Sequence, residues 1–464
     1  MINFVEKYIV PVAAKIGSEK HLIALRDGFI AMMPITMTGA IAVFLNALIR
    51  DFPSDPAILG PGNFITNNAF SQWLIGINGI VWGGTLAVIA LCLAITLGYN
   101  LARAYNVDGV AGSVIAFAAY ILGIPQMAHT TTTIAIPEAY LPSVIAAVGD
   151  QAVVEGGNLI VSGAAWGFFQ FSQFFNPVGM FGVMIATFIS VIIFCLIYNA
   201  GWTIKMPDSV PPAVSKAFSA LIPGFIALYI MAVLYWLWGL ASDVVLSQWI
   251  AETIQAPLLG ATQNYWMVLI IVLLNSLLWF FGLHGGNILG PVLNASYGIA
   301  QIENVEAFAM GHEIPFLWAS GSFDAFVFFG GSGSTFALVL AILFFSKRED
   351  YKTIGKLSLG PGAFNINEPI IFGLPIVLNP LMFIPFILAP VVTVTIAYAA
   401  TMAGIVGPVV IPVVWVMPPV LNAFFATAFD PMAIVLTVLN IAVAFAIYLP
   451  FIIAANSIAE KEQQ

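Results

Sequence analysis

Charged residues are scarce in this sequence. Of its 464 residues only 8% are Asp, Glu, Lys or Arg, whereas a soluble globular chain carries about a quarter. So few charges cannot cover a water-facing surface, which excludes a soluble enzyme. In their place 61% of the residues are hydrophobic, and the mean hydropathy is +1.01. Apolar runs of roughly 20 residues, enough to cross hydrocarbon, recur along the chain, and they predict an all-α polytopic membrane protein.

Cysteines and basic residues are also few. Cys92 and Cys195 are the only cysteines, and both lie in apolar runs, where a thiol is inert and no zinc cluster can form. The 13 Lys and Arg residues, against 22 Asp and Glu, give a net charge of -9. This balance excludes nucleic-acid binding, which needs clustered cations. His312-Glu313 lacks the second histidine of a metalloprotease HExxH motif. We therefore expect no metal and no cofactor.

Apolar segments and basic residues together predict a topology of about ten spans. With the N-terminus in the cytoplasm, every basic residue except Arg50 falls on the cytoplasmic side, as the positive-inside rule requires. The basic cluster from Lys347 to Lys356 is the strongest single determinant of this orientation. Both termini are therefore expected in the cytoplasm. The expected spans are 28–50, 73–100, 109–128, 176–200, 217–240, 265–283, 286–302, 323–346, 380–404 and 432–455.

Three segments lie outside the expected spans, and each predicts a different kind of structure. Residues 1–27 combine four basic side chains with one apolar helical face, which predicts a cytoplasmic interfacial amphipathic helix. Residues 129–175 are polar for this chain, and we expect an extracytoplasmic loop there. Residues 456–464 are expected to form a cytoplasmic tail.

Two apolar segments, 357–379 and 405–429, are interrupted by glycine and proline. Straight helices broken in this way would leave backbone groups unpaired in lipid, so such segments survive only where protein or a cavity covers them. We interpret both as re-entrant hairpin segments, and the alternative is a pair of kinked spanning helices. Non-helical backbone around a midplane cavity is where transporters keep their substrate sites.

Ionisable residues at membrane depth are costly and are functional candidates by default. His284 ends an aromatic-rich run beside Gly285 and Gly286, and these glycines would let a backbone or a ligand approach closely. The alternative is a packing histidine. Asp324 lies at the outer end of an expected span, where a solvated or helix N-terminal role is favoured over transport chemistry.

The third such residue, Glu368, lies in the broken segment FNINEPIIFGLP. Its neighbours Asn365 and Asn367 offer amide donors and acceptors, which suit the recognition of hydroxyl groups. Trp279 and Trp415 flank the same two polar positions in sequence. Aromatic faces with amides and one carboxylate describe a sugar pocket, and the alternative is that the tryptophans anchor helices at the membrane interface.

Two further motifs do not predict chemistry. GGSGST at 330–335 lacks the lysine of a phosphate-binding loop, so we interpret it as small residues for helix contact. Asn294-Ala-Ser296 matches a glycosylation sequon but lies within an expected span.

Four longer motifs carry a family resemblance: KMPDSVPPAVSKAFSALIPGF (205–225), WFFGLHG (279–285), FNINEPIIFGLPI (364–376) and IYLPFIIAANS (447–457). They resemble the membrane-spanning IIC permease of the bacterial phosphoenolpyruvate-dependent sugar phosphotransferase system (PTS). The most similar branch is the one for lactose, cellobiose and N,N'-diacetylchitobiose.

This resemblance implies a homodimer in the bacterial cytoplasmic membrane. Residues 28–240 would form the dimer scaffold, and residues 241–455 would hold the sugar and move relative to it. The family's sugar-site histidine and glutamate map onto His284 and Glu368, its tryptophans onto Trp279 and Trp415. The expected substrate-binding residues are Trp279, His284, Gly285, Asn287, Asn365, Asn367, Glu368 and Trp415, of which His284 and Glu368 are the expected catalytic residues.

The implied activity is the membrane subunit of a protein-phosphocysteine sugar phosphotransferase. A β-linked disaccharide would move inward and receive a phosphoryl group from a separate phosphorylated IIB protein, itself served by IIA. The chain would carry no phosphoryl group of its own. The first alternative is an ion-coupled sugar symporter, which needs a second buried acid or a cation site, and Glu368 is the only well-placed carboxylate. A passive channel is the third possibility, but a pore would need a wetted lining along its length.

Overall fold

The structure is a computed structural model that describes residues 15, 18–54, 58–135, 140–148, 152–155, 158–167, 174–207, 209–374 and 376–462. Most of the expected amphipathic helix 1–27 lies outside these residues, as do the last two residues of the expected tail. From Lys20 onward that segment is helical, and the Glu19 carboxylate caps the helix by accepting hydrogen bonds from the backbone N–H groups of His21 and Leu22.

Helices dominate the first half of the chain. Side-chain caps begin several of them, for example Asn68, which accepts a hydrogen bond from the Ser71 N–H, and Asp108, which accepts one from the Ala111 N–H. The helices are α1 Lys20–Ala31, α2 Met33–Ser54, α3 Phe64–Asn67, α4 Ala69–Gly83, α5 Ile89–Ala104, α6 Gly109–Leu122, α7 Leu141–Val148, α8 Met180–Asn199 and α9 Pro212–Ala241.

A small antiparallel sheet interrupts this helical order. Its strands are β1 Met127–Ala135, β2 Ala152–Glu155 and β3 Asn158–Trp166, in the spatial order β1-β3-β2. Met127 pairs with Trp166, and the register runs to Ala135 opposite Asn158. Four consecutive threonines in β1 favour the strand, because β-branched side chains fit a pleated surface. The expected loop 129–175 therefore contains a sheet, and the all-α description holds for the membrane helices only.

In the second half the regular elements within the described residues are all helices, joined by turns and non-helical stretches. A π-helical turn, Asn294–Gly298, joins two of its helices into one continuous run. The helices are α10 Leu246–Thr262, α11 Tyr265–Phe280, α12 Gly285–Leu293, α13 Ile299–Met310, α14 Ser320–Phe326, α15 Thr335–Phe345, α16 Glu349–Ala363, α17 Glu368–Gly373, α18 Pro380–Met402, α19 Pro419–Ala426 and α20 Pro431–Glu462.

Within the described residues, six helical stretches are long and apolar enough to cross a membrane. Each coincides with one of the expected spans. The pair α10 and α11 is bent by 71° and forms a seventh candidate, while α6 and α15 are shorter apolar helices. The six stretches are Met33–Ser54, Ala69–Ala104, Pro177–Asn199, Pro212–Ala241, Pro380–Met402 and Pro431–Ser457.

The expected span 323–346 is not one helix. α14 ends at Phe326 and α15 begins at Thr335, and the glycine-rich residues 330–333 lie in the turn between them. Three of the glycines there have positive φ, and the neighbouring Ser334 adopts the left-handed conformation as well, which no helix can continue through. This break matters because it puts non-helical backbone where a continuous span was expected.

The apolar core consists of several clusters of buried side chains. In the first half, α5, α6 and α8 pack around Leu97, Tyr120 and Val183. In the second half, one cluster includes Trp279, Phe386 and Tyr448, and another includes Ile271, Phe323 and Val394. The two clusters of the second half lie entirely within it, whereas the cluster around Leu97 also contains buried residues of α10 and α13 from the second half.

Helices α5 and α6 cross at close range because both carry glycine at the crossing. A Cβ added to Gly112 would lie 2.5 Å from the Gly98 carbonyl oxygen, and one added to Gly98 would lie 2.7 Å from the Gly112 carbonyl oxygen. Small residues that let backbones meet are the usual device of helix association in membranes.

Helix α13 connects the two halves through buried polar contacts. From the first half, Asn176 donates to the Glu306 carboxylate at 3.1 Å. Gln255 of α10 donates both to the Glu303 carboxylate at 2.8 Å and to the Pro177 carbonyl of the first half at 3.1 Å. On the same helix Asn304, fully buried, donates to backbone carbonyls of two loops of the second half. α13 is therefore hydrogen-bonded to both sides of the molecule.

Candidate functional site

A cavity of about 490 Å³ lies within the second half of the chain, a size typical of small-molecule sites. Its walls are formed by helices α11, α12, α14 and α17 and by the loops that precede α15, α17 and α19. All the expected site residues except Gly285 line it, although they lie as far apart in sequence as Trp279 and Trp415. The polar residues of the lining are Asn275, His284, Asn287, Asn294, Ser320, Asp324, Ser332, Asn365, Asn367 and Glu368, and its aromatic residues are Trp279, Phe323, Phe328 and Trp415.

His284 is the N-cap of α12. Its Nδ1 accepts a hydrogen bond from the Asn287 N–H at 3.2 Å, which places the proton of the neutral imidazole on Nε2. His284 can therefore act as a donor from Nε2 while its other nitrogen holds the helix. The side chain is exposed to the cavity, and its ring lies 4.4 Å from that of Trp279, centroid to centroid.

Glu368 is the first residue of α17 and is exposed to the cavity. Among the described residues no side chain or backbone group donates a hydrogen bond to its carboxylate, so both oxygens can accept from a ligand. The helix N-terminus is a favourable place for this negative charge. Glu368 and His284 thus open into one cavity from two different helices.

The two tryptophans of the site differ in how far they are buried. Trp279 is 6% exposed and packs in the core cluster behind the site, whereas Trp415 is 51% exposed and lies on the loop between α18 and α19. Trp279 can offer only the part of its indole that faces the cavity, beside His284. Trp415 presents most of a ring face. Both can stack on an apolar ligand surface.

The Asn365 side chain is fully hydrogen-bonded to the protein backbone, whereas it was expected to recognise sugar hydroxyls. Both donors of its amide bond to carbonyls, at 2.6 Å to Trp415 and 3.0 Å to Met417, and its oxygen accepts from the Gly330 N–H at 2.8 Å. Its φ of +62° is left-handed, a conformation that asparagine tolerates better than most residues. Asn365 therefore positions the loop of Trp415.

The neighbouring Asn367 is mainly structural too, because its amide donates to the Ser332 carbonyl at 3.2 Å. On α12 the Asn287 side chain is exposed to the cavity, and within the described part of the chain no protein group hydrogen-bonds to its amide. Of the three asparagines expected in the site, Asn287 is the one whose amide can meet a ligand.

The two glycines after His284 differ in role. A Cβ on Gly285 would lie 2.5 Å from the Asn275 side-chain oxygen, so this glycine permits contact between α12 and α11 and does not line the cavity. Gly286 does line it, and a Cβ there would meet only the His284 ring. The close approach expected at Gly285 is made by protein, not by ligand.

The glycine-rich loop 330–335 forms part of the cavity wall, which sequence reasoning did not anticipate. Gly331 has a φ of +90°, and a Cβ there would lie 2.7 Å from the Asn367 side chain. The Ser332 hydroxyl accepts a hydrogen bond from the Asn275 amide at 2.9 Å. The small residues therefore serve close packing, as expected: Gly331 packs against the segment that carries Glu368, and Gly333 packs against Phe386 of the spanning helix α18.

Asp324 is the largest departure from expectation. It was expected at the outer end of a span in a solvated role, but the break between α14 and α15 turns this part of the chain inward, and Asp324 lines the cavity. Among the residues that the structure describes, no group of three or more His, Cys, Asp or Glu side chains could hold a metal ion.

Comparisons with known proteins identify the family. The model of the phosphotransferase system EIIC family matches residues 26–390. The chain belongs to the EIIC family of the phosphotransferase system. It is 43% identical to the cellobiose-specific EIIC component of Lactococcus lactis subsp. lactis, over 99% of this chain and 98% of that protein. It is 34% identical to the oligo-beta-mannoside-specific EIIC component of Bacillus subtilis, over 100% and 96%.

A solved structure agrees with this assignment. The crystal structure of the transporter ChbC, the IIC component of the N,N'-diacetylchitobiose-specific phosphotransferase system, matches with a TM-score of 0.84 and 30% identity, over 99% of both chains. The EIIC chain is thus a multi-pass membrane protein of the phosphotransferase system, as its motifs indicated.

An ion-coupled symporter needs a second buried acid, and the sequence argument against it was that Glu368 is the only well-placed carboxylate. That argument is wrong, because Asp324 lines the same cavity. The decision between the two functions therefore comes from the family relationship, which supports the phosphotransferase system and gives no support to ion coupling.

Proposed function

We propose that this EIIC protein binds a β-linked disaccharide, carries it inward and presents it for phosphorylation by a separate phosphorylated IIB protein. The observation that carries the proposal is the opening of Glu368 and His284 into one cavity of an EIIC chain. Relatives named for cellobiose, lichenan and oligo-beta-mannosides support a β-linked glycoside as the substrate class.

The cavity suits a sugar chemically. Trp415 and the partly exposed edge of Trp279 can stack on the apolar faces of a pyranose ring, while polar groups meet its hydroxyl edge. Asn287 and the Nε2–H of His284 supply donors, and the Glu368 carboxylate supplies acceptors.

The proposed reaction is an in-line transfer at phosphorus. The oxygen of a sugar hydroxyl, the 6-hydroxyl in this proposal, attacks the phosphorus of a phosphocysteine on IIB. The phosphorus–oxygen bond forms, the phosphorus–sulfur bond breaks, and the cysteine leaves as a thiolate. Because the transition state is loose, alignment and charge stabilisation contribute most. Glu368 accepts a hydrogen bond from the attacking hydroxyl and takes its proton, and His284 holds the same end of the sugar.

The phosphoryl donor must come from outside the cavity. Cys92 and Cys195 lie within α5 and α8, remote in sequence from the cavity-lining residues, and neither is suited to carry a phosphoryl group. A separate IIB protein, supplied by IIA, would therefore dock at the cytoplasmic face.

For the whole molecule we propose about ten spans with residues 357–379 and 405–429 re-entrant, both termini in the cytoplasm of a bacterium, and a homodimer. The breaks at Phe364–Asn367 and in the non-helical stretch before α19 support re-entry. Residues 28–240 would be the scaffold and residues 241–455 the moving sugar domain, and two core clusters lie entirely within the second of these ranges. On α9 most side chains, among them Phe225 and Trp236, are exposed in the single chain, and they could face lipid or a second copy.

The test is a reconstitution. Purified EIIC in vesicles is given cellobiose on the outside and phosphorylated IIB on the inside, and cellobiose phosphate is measured in the lumen. The proposal expects product that depends on phosphorylated IIB and persists when an uncoupler collapses ion gradients. Uptake of unmodified sugar that the uncoupler abolishes and IIB does not affect would contradict it.

A further inference from the structure

Asp324 is a carboxylate in the cavity that the proposed reaction does not use. It lies on α14 one turn after Ser320, and both side chains line the cavity. Among the described residues no cation and no hydrogen-bond donor reaches its carboxylate. Asp324 is half-buried in the cavity wall, and a carboxylate in such a position without a partner is costly. A ligand that brings hydrogen-bond donors into the cavity would remove that cost.

The cavity is elongated, and α11 shows its direction. Ile271, Asn275 and Trp279 line it at intervals of four residues, and a rise of about 1.5 Å per residue makes this stripe about 12 Å long. Such a length accommodates two sugar rings better than one.

The two cavity carboxylates belong to segments that share core clusters with opposite ends of this stripe. Trp279 shares a core cluster with Ile370, two residues after Glu368. Ile271 shares a different cluster with Phe323, the residue before Asp324. Glu368 is therefore placed near the Trp279 end, together with His284, and Asp324 near the Ile271 end.

We propose that Asp324 recognises the ring of the disaccharide that is not phosphorylated, by accepting hydrogen bonds from its hydroxyls. This inference rests on the proposed function and adds a specificity-determining residue to it. Phe323 and Phe328, stacked at 16° with ring centroids 6.1 Å apart, provide apolar surface for the same ring. Asn294 and Ser320 lie on the lining beside them.

A sugar fits this end better than a metal ion does. The described residues contain no group of three His, Cys, Asp or Glu side chains with the geometry of a metal site. The remaining polar neighbours, an amide and a hydroxyl, are ligands for hydroxyl groups. The partner of Asp324 is therefore a set of neutral donors, as a pyranose edge provides.

The experiment compares the wild-type protein with Asp324→Asn, which keeps the size of the side chain, and with Asp243→Asn, a control at an exposed aspartate outside the cavity. Calorimetry measures binding of cellobiose and of methyl β-glucoside, a probe with one ring. Because a hydrogen bond to a charged group is stronger than one to a neutral group, we expect about a tenfold loss of cellobiose affinity in Asp324→Asn. Affinity for the one-ring probe should stay near wild type.

A second measurement needs no variant and so does not depend on the folding of Asp324→Asn. Cellobiose analogues that lack single hydroxyls on the ring that is not phosphorylated are bound to the wild-type protein, and at least one should lose about tenfold in affinity.

The outcomes separate the two proposals. Asp324→Asn that binds cellobiose as wild type does, or loses affinity for both probes equally, overturns the role of Asp324 alone. The same follows if no deoxy analogue loses affinity. A wild-type protein that binds cellobiose no more tightly than methyl β-glucoside overturns the inference and the proposed disaccharide specificity together.

Discussion

Replacement of Glu368 by glutamine should abolish sugar phosphorylation while leaving the protein folded and able to bind sugar. Glutamine has the same shape and can still meet a hydroxyl, but it cannot take a proton. A positioned general base contributes about 10²–10⁴-fold in rate, which corresponds to roughly 3–5 kcal/mol of activation free energy. Turnover in Glu368→Gln should fall by this factor, and the dissociation constant for cellobiose should change only a few-fold.

The effect on folding should be small. Among the described residues Glu368 has no partner to lose, and its side chain is exposed to the cavity. The loss of its charge at the start of α17 costs about 0.3–1 kcal/mol of unfolding free energy. Glu313→Gln, at an exposed glutamate outside the cavity, is the matched control and should be indistinguishable from wild type.

The assay supplies each purified variant with phosphorylated IIB and saturating cellobiose, and follows sugar phosphate with time. Calorimetry on the same preparations gives the affinity. Full turnover in Glu368→Gln would refute the role of this carboxylate. A variant that has lost turnover only because it no longer binds cellobiose would also refute it, since the residue would then serve recognition and not proton transfer.

Three further substitutions test the site and the packing. His284→Ala should weaken cellobiose binding about tenfold and also lose about 1 kcal/mol of unfolding free energy, because the cap on the Asn287 N–H is removed. His284→Asn should restore the cap but not the affinity, and calorimetry with thermal melting separates the two. Gly112→Ala should lower the free energy of unfolding by about 1–3 kcal/mol, because the new methyl group overpacks the helix crossing. The control Gly79→Ala, with open space around its Cβ, should be neutral or stabilising. Equal melting temperatures of the two variants would contradict the close crossing of α5 and α6. Gln255→Leu leaves the hydrogen-bonding partners of Gln255 unsatisfied. It should lower the free energy of unfolding by about 1–3 kcal/mol for each buried partner. An unchanged melting temperature would argue against a stabilising role of these hydrogen bonds.

The membrane helices were largely predictable because hydrophobic length is a local property of the chain. The small sheet was not anticipated, although the run of threonines in β1 carried a local signal for it. The broken span 323–346 was missed for a related reason. Its composition is apolar overall, and hydropathy averages over the glycines at which the helix actually stops.

The site was predictable where a residue is unusual for its surroundings. His284 and Glu368 stand out in apolar sequence, and both line the cavity. Asp324 was misplaced because its position follows from the break after α14. The task of Asn365 could not be foreseen, since its partners Trp415 and Met417 lie about fifty residues away. Local pattern finds such polar residues, and only the tertiary structure distinguishes those that bind ligand from those that hold loops.

The most direct test of the account is an experimental structure of the EIIC protein with cellobiose bound. We predict density for two sugar rings along α11, with one hydroxyl within hydrogen-bonding distance, about 2.6–3.2 Å, of the Glu368 carboxylate. Cellobiose bound elsewhere, or with no hydroxyl near Glu368 and His284, would contradict the central claim.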